Sequence, residues 1–230
     1  MSPRTSSILA LLCLVPAPSI GVILAMHILP GPVGQAVFGV TKTWILVLPL
    51  AWTVLADRER PRFSRIQTRG LGVGLVLGLF ISAVIVGAYI LVGAHWIDVP
   101  LMREQVSEIG LGDPRVYFAA AAYWCLINAL LEEYVWRWFV FRKCEVLVAP
   151  IAAVLLAALF FTLHHAIALI AFVDWRVTLI SSTGVFIGGA IWSWCYLRYR
   201  CIWPGYASHV IVDVAVFSIG AWILFGQTAG

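Results

Sequence analysis

The chain has 230 residues, 62% of them hydrophobic and only 11% charged, and its mean hydropathy is +0.98. Soluble domains carry about 25% charged residues, so this composition excludes an ordinary water-soluble globule. It predicts an all-α fold, a polytopic transmembrane helix bundle that forms a single domain over residues 1–230. The formal net charge is +4, and the five cysteines include no CxxC pair, which argues against a disulfide framework or a thiolate zinc site.

Seven apolar segments are each long enough to cross a bilayer, for which about 20 residues suffice in a helix. The fifth segment is long and could break near His164 and His165, which would raise the count to eight. We therefore predict seven to eight spans, with the seven at roughly 8–29, 33–55, 70–94, 116–141, 147–173, 177–197 and 203–226.

Basic residues are distributed unevenly between the connecting segments. With the N-terminus inside, the inner segments hold ten of the fifteen Lys and Arg residues. Positive residues favour cytoplasmic loops, so we predict a cytoplasmic N-terminus. We interpret the arginine-rich stretch 58–69 as a solvated loop that touches anionic headgroups, not as a nucleic-acid site. Lys42, inside the second span, has no evident partner, and snorkelling of its side chain suffices to explain it.

The motif Glu132-Glu133-Tyr-Val-Trp-Arg137 lies deep in the fourth span, about 15 Å from the inner end at a rise of about 1.5 Å per residue. A charge in hydrocarbon costs at least ~2.5–3.5 kcal/mol, so such residues usually pair, line a cavity or function. Glu133 and Arg137 are four residues apart and can form an ion pair. Glu132 is rotated by about 100° and remains free to act as a general base. A purely architectural Glu–Arg pair would leave Glu132 without a partner.

Two further groups of ionisable residues lie in later spans. The fifth span carries His164 and His165 in tandem, of which only one need face the bundle interior. The last span carries His209 and Asp213 on one face, where Asp213 could fix the tautomer of His209 or form a structural pair with it. Counted from the start of each span, His209 lies at about 9 Å and His165 near 25 Å. Convergence of the three groups around a water-filled pocket would make a hydrolytic site.

Two alternatives compete with glutamate-dependent hydrolysis. A zinc-dependent membrane protease could use His165, His209 and a glutamate as ligands, although no ligand pair has the usual zincin spacing. A proton-coupled transporter or a non-catalytic membrane partner protein could use the buried Glu and His residues as a relay, but no inverted repeat is visible. We therefore expect no cofactor, with zinc as the alternative.

The three motifs, in this order over residues 132–213, resemble the motif set of the CPBP family, named for CAAX proteases and bacteriocin-processing enzymes and also termed Abi. The matching stretches are Glu132-Glu133-xxx-Arg137, Phe161-xxx-His165 (or Phe160-xxx-His164) and His209-xxx-Asp213. Each motif alone is weak, but three on hydrophobic spans make a specific match. The motif-bearing core is about 116–226, and the region before it carries no usable signature.

The resemblance implies an intramembrane glutamic endopeptidase with about eight helical spans. Glu132 would activate the attacking water together with the histidine of the second motif, and we favour His165 over His164 for that role. Glu133 and Arg137 would hold the site in shape.

His209 and Asp213 would, by the same resemblance, stabilise the oxyanion. The family's third motif usually ends in Asn, whereas this chain has Asp213. A carboxyl group donates a hydrogen bond only when protonated, so Asp213 could instead orient His209.

The expected partners are the lipid bilayer and a membrane protein or peptide substrate. Substrates of the family range from prenylated C-termini to bacteriocin leaders and C-terminal sorting tails, and the sequence does not select among them. Short loops and the lack of a targeting tail fit a bacterial inner membrane, and we expect no nucleic-acid partner.

Overall fold

The computed structural model describes residues 1–29, 31–66 and 68–226, and all regular structure within those ranges is helical. This part of the chain forms eight helices: α1 (Pro3–Ile28), α2 (Pro32–Ala56), α3 (Leu71–Trp96), α4 (Val99–Glu108), α5 (114–147), α6 (Pro150–Leu169), α7 (Trp175–Tyr199) and α8 (Trp203–Phe225). The predicted all-α bundle is confirmed.

Proline and aspartate mark where several helices begin. Pro3, Pro32, Pro114 and Pro150 each stand in the first turn, where a missing backbone N–H costs nothing. Asp98, Asp113 and Asp174 are N-cap residues whose carboxylates accept backbone N–H groups of α4, α5 and α7. These caps fall in the polar connections, so they delimit the apolar segments.

Six helices are long and apolar enough to cross a membrane, namely α1, α2, α3, α6, α7 and α8. The predicted fourth span lies within α5, which is not among the six and carries Glu132, Glu133, Arg137 and Arg142 in its C-terminal half. The predicted count of seven to eight is therefore approximate. The ten-residue helix α4, which the sequence did not suggest, is too short to cross a bilayer.

The possible break near His164 and His165 is wrong. Helix α6 runs without interruption from Pro150 to Leu169 and passes through both histidines. After Pro150 it contains neither proline nor glycine, the residues that most often kink a helix. The two histidines therefore lie on one rigid element.

Helix α5 is the most enclosed part of the bundle. Every residue from 133 to 141 except Tyr134 is buried, including the charged pair Glu133 and Arg137. This stretch is π-helical, as is the preceding segment Tyr123–Asn128. Short π-helical segments often occur at functional sites.

The glycines of α3 bring this helix against α8. A Cβ atom at Gly74 would collide with the backbone of Pro204, and one at Gly78 would lie 3.0 Å from Ser208 Cα. Only glycine permits such close contact, and small residues at four-residue spacing typically allow helices in a membrane to approach in this way. This contact places α8, with His209 and Asp213, at a defined position in the bundle.

The connections at 57–66 and 200–202 and the last turns of α5 (142–147) lie together at one end of the bundle. Trp138 Nε1 donates to the carbonyl of Arg62 at 2.8 Å, and Trp203 Nε1 donates to the carbonyl of Ser64 at 3.1 Å. These are segments that the predicted topology assigns to the same side of the membrane.

Candidate active site

The centre of the site is an ion pair on α5. Glu133 and Arg137 are 0% and 1% exposed, and Arg137 NH1 lies 3.3 Å from Glu133 Oε1. The guanidinium of Arg137 also lies over two aromatic rings, 4.6 Å from the centroid of Phe161 and 5.1 Å from that of Trp192. Cation–π contacts of this kind strengthen when water is excluded. The pair is therefore enclosed by helices α6 and α7.

His209 joins α8 to this pair. Its Nδ1 lies 3.2 Å from Glu133 Oε1, so an Nδ1–H group donates to that carboxylate. The ring stacks on Trp192 with centroids 3.9 Å apart, and Trp192 Nε1 donates to Ser208 Oγ at 3.0 Å. The imidazole is thus held by a hydrogen bond at Nδ1 and by stacking on one face of the ring.

The other nitrogen of His209 faces two more carboxylates. Its Nε2 lies 3.6 Å from Glu132 Oε2 and 3.6 Å from Asp213 Oδ1. Three carboxylates therefore surround a single imidazole, Glu133 at one nitrogen and Glu132 and Asp213 at the other. The spacing of His209 and Asp213 on one helix face, noted in the sequence, brings them to this contact.

Glu132 occupies a different environment from its neighbour Glu133. Its side chain is 12% exposed, and its Oε1 accepts a hydrogen bond of 2.8 Å from Asn128 Nδ2, one turn earlier on α5. Asn128 Oδ1 in turn accepts a hydrogen bond of 2.5 Å from Lys42 Nζ on α2. Glu132 is thus not without a partner, and the expectation that Lys42 only snorkels is wrong, because both side chains belong to one hydrogen-bond chain.

Both histidines of α6 point into the same region. His165 Nδ1 lies 2.9 Å from the carbonyl of Phe161, which can only accept, so the proton is on Nδ1 and Nε2 has a free lone pair. The ring of His164 stacks on Trp136 with centroids 5.4 Å apart. Donor atoms of Glu132, His164 and His165 all lie within 4.8 Å of one another.

The structure thus brings all seven predicted residues into one cluster built from α5, α6 and α8. Sequence reasoning missed three side chains that complete it: Lys42, Asn128 and Trp192. Asn128 had a detectable signal, because it precedes Glu132 by four residues and is the only asparagine in the chain. Lys42 and Trp192 had none, since their contacts come from other helices.

Six helices that are long and apolar enough to cross a membrane, together with a buried cluster of carboxylates and imidazoles, define the class: an integral membrane protein with a polar site among its helices. Within this class, residues 114–215 match the family model described as type II CAAX prenyl endopeptidase Rce1-like. The match runs from the start of α5 into α8 and includes all the predicted site residues.

This match confirms the resemblance to the CPBP family over the part of the chain that carries the motifs. The family is one of proteases, so hydrolysis of peptide bonds is the class of activity that the match supports. No curated protein and no solved structure matches the chain significantly.

Proposed function

We propose that the protein is an intramembrane endopeptidase in which Glu132 activates the attacking water. The observation that carries this proposal is the difference in environment between two adjacent carboxylates. Glu133 is fully buried and held by Arg137 and by His209 Nδ1. Glu132 has Oε1 bound to Asn128, while Oε2 lies 3.6 Å from His209 Nε2 and the carboxylate has no cation of its own helix beside it. One carboxylate is structural, and the other is available for proton transfer.

In the proposed reaction a water molecule lies between Glu132 and His165. Glu132 Oε2 takes one proton from it, while His165 Nε2 accepts a hydrogen bond from the same water. The hydroxide oxygen adds to the scissile carbonyl carbon, and the proton on Glu132 then passes to the leaving amide nitrogen as the C–N bond breaks.

The negative charge that develops on the carbonyl oxygen needs a donor. His209 supplies it through Nε2–H in its doubly protonated form, with Nδ1–H held by Glu133. Asp213, 3.6 Å from Nε2, orients the ring and, when protonated, can donate to the same oxygen. Glu133 and Arg137 keep the imidazole in place.

The proposed substrate is a membrane-associated protein or peptide cut near one terminus, since the cluster lies among membrane-spanning helices. We also propose a bacterial inner membrane and a cytoplasmic N-terminus. Labelling of single cysteines in the 58–66 loop from either side of intact cells would test that orientation.

The test of the proposed function is cleavage by purified protein in liposomes. A panel would include a farnesylated C-terminal peptide, a leader peptide and a C-terminal sorting tail, with products identified by mass spectrometry. We expect Glu132→Gln to lower cleavage by about 10²–10⁴-fold and the matched Glu145→Gln to retain it. Glu145 lies on the same helix but pairs with Arg200 outside the cluster. Full activity in Glu132→Gln would overturn the assignment.

One observation favours a second candidate, a zinc-dependent protease. Glu132, His164 and His165 place their donor atoms within 4.8 Å of one another, and His164 Nδ1 is buried without a hydrogen-bond partner. Two imidazoles and a carboxylate are an adequate set of zinc ligands. His209, expected from the sequence as a ligand, is not in this group. Its Nδ1 is bound to Glu133, and its Nε2 lies between Glu132 and Asp213.

A zinc ion held by those three residues would polarise the substrate carbonyl and acidify its bound water. Metal analysis of the purified protein, compared with a His164→Ala variant, separates the two candidates. Stoichiometric zinc that is lost in the variant supports the metal, whereas cleavage that survives a chelator series with no bound metal supports the glutamate mechanism.

A further inference from the structure

We propose that Lys42 is a positioning residue that acts on Glu132 through Asn128. It keeps Glu132 Oε1 as a hydrogen-bond acceptor of Asn128, so that Oε2 is the oxygen that takes the proton from water. This proposal rests on the proposed function of Glu132 as general base. Lys42 does not touch the reacting atoms, and it lies outside the residues that match the family model.

The contact is a chain of two short hydrogen bonds between three side chains. Lys42 Nζ donates to Asn128 Oδ1 at 2.5 Å, and Asn128 Nδ2 donates to Glu132 Oε1 at 2.8 Å. Asn128 is 9% exposed, so little water is available to replace either bond. Lys42 stands ten residues into α2, well inside the span, where an ammonium group without a partner is unfavourable.

The direction of this chain follows from the chemistry of lysine. An ammonium group has three donors and no acceptor, so the Asn128 carbonyl must face it. The amide NH2 group must then face Glu132, and Oε1 of Glu132 can only accept. A proton taken from water therefore resides on Oε2, the oxygen that faces His209 Nε2 at 3.6 Å.

Loss of Lys42 removes this constraint when Glu132 is protonated. The Asn128 amide can then turn over and present its carbonyl to Glu132, which donates its new proton to Oδ1. The proton is held on the side of Asn128, away from the leaving amide nitrogen. We therefore expect the step that consumes the proton to slow, while substrate binding is unaffected.

The kinetic test uses Lys42→Met, Lys42→Arg, Asn128→Leu and the Lys42→Met/Asn128→Leu double variant. We expect Lys42→Met to lower kcat by about 10- to 100-fold with KM within about twofold, since small errors in positioning have effects of this size. Arginine also donates to a carbonyl, so Lys42→Arg should recover most of kcat. The double variant should be no slower than Asn128→Leu, because Lys42 acts only through Asn128.

Three kinetic results would overturn the proposal. They are a kcat for Lys42→Met within about twofold of wild type, an equal loss in Lys42→Arg and Lys42→Met with both variants folded, and multiplicative losses in the double variant. Loss of activity in Glu132→Gln tests the proposed function separately, so failure of one proposal is distinguishable from failure of the other.

A second measurement needs no turnover and no folded Lys42→Met protein. Asn128 is the only asparagine, and the chain has two lysines, Lys42 and Lys143. In liposomes, solid-state NMR of protein with 15N-lysine and 13C-asparagine should show magnetisation transfer from lysine Nζ to the side-chain carbonyl carbon, Cγ, of asparagine.

The matched control is Lys143→Arg, which removes the lysine that pairs with Asp57 at the end of the bundle. Transfer should persist in this variant, because Lys42 alone produces it. No transfer in the wild-type protein, or its loss in Lys143→Arg, would overturn the contact and the proposal with it.

Discussion

The middle and the C-terminal end of helix α5 each take part in a Glu–Arg ion pair, and the two pairs differ in how far they are buried. In the middle, Glu133 and Arg137 are about as buried as side chains can be, with 1% exposure each. At the end, Glu145 pairs with Arg200, whose side chain is 56% exposed, through two hydrogen bonds of 2.6 and 2.8 Å. The end pair has solvent beside it, and its hydrogen bonds to Glu145 raise the pKa of Arg200.

The difference in burial decides how strongly each side chain depends on its partner. A pair at the surface exchanges its partners with water, so each member is dispensable. In the middle of α5, Glu133 and Arg137 are buried away from bulk water, so these two side chains and His209 depend on each other. Such a network holds side chains in fixed positions, which is what proton transfer and charge stabilisation require.

The largest expected effect comes from Glu132→Gln. Removal of a general base lowers kcat by about 10²–10⁴-fold. Thermal stability should change little, because Gln keeps the shape and can still accept from Asn128. Cleavage rates and unfolding temperatures of Glu132→Gln and Glu145→Gln, measured side by side, test this. If both variants lost equal activity, the contrast between the two regions of α5 would disappear.

The next effect is on stability and concerns Arg137→Met. It removes the cation from a fully buried pair and leaves the Glu133 carboxylate with no counter-charge on its own helix. Breaking a buried pair in this way typically costs about 3–5 kcal/mol. The matched variant is Arg200→Met, which breaks the exposed pair with Glu145. Unfolding in a denaturing detergent should show that Arg137→Met is less stable than Arg200→Met. Equal stabilities would show that the burial of Arg137 has no energetic consequence.

The long apolar helices of this protein could be predicted from hydropathy, since each apolar run of about 20 residues must satisfy its backbone internally in lipid. The short helix α4 could not. The bounds of the fourth and fifth segments could be predicted only roughly. The expected spans 116–141 and 147–173 became α5 at 114–147 and α6 at Pro150–Leu169. The π-helical backbone of α5 was not predictable, because π and α turns share the same local composition.

Depth counting shows why the sequence indicated convergence of the site but could not establish it. The sequence alone predicts about 15 Å for Glu132 from Arg142 and near 25 Å for His165 from a helix start at residue 147, which are different depths. In the structure α5 ends at Leu147 and α6 begins at Pro150, so both residues lie fifteen positions from the shared turn. Their distances from the shared turn are therefore similar, at about 1.5 Å per α-helical residue. The Lys42–Asn128 contact depended on the packing of α2, which no local pattern encodes.

A smaller effect is expected where α8 meets the buried pair. A Cβ atom added at Gly205 would lie 2.6 Å from Glu133 Oε2, so Gly205→Ala must displace that carboxylate. Overpacking of this kind costs about 1–3 kcal/mol, and a displaced Glu133 weakens the orientation of His209. Gly184→Ala is the matched control, since nothing lies within 4 Å of its Cβ. A kcat for Gly205→Ala equal to that of Gly184→Ala would mean that Glu133 does not position His209.

The smallest effect is expected at the exposed end of α5, where coupling between Glu145 and Arg200 can be measured in a double-mutant cycle. Glu145→Gln, Arg200→Gln and the double variant should give a coupling of about 0.2–1 kcal/mol, because solvent and salt screen a pair of which one member is more than half exposed. The coupling should fall as salt is raised, since the screening length shortens. A coupling as large as the loss of folding free energy in Arg137→Met, or one that does not change with salt, would contradict the contrast between the buried and the exposed pair. The end of α5 would then need its partners as much as the middle does, and burial would no longer distinguish the two regions.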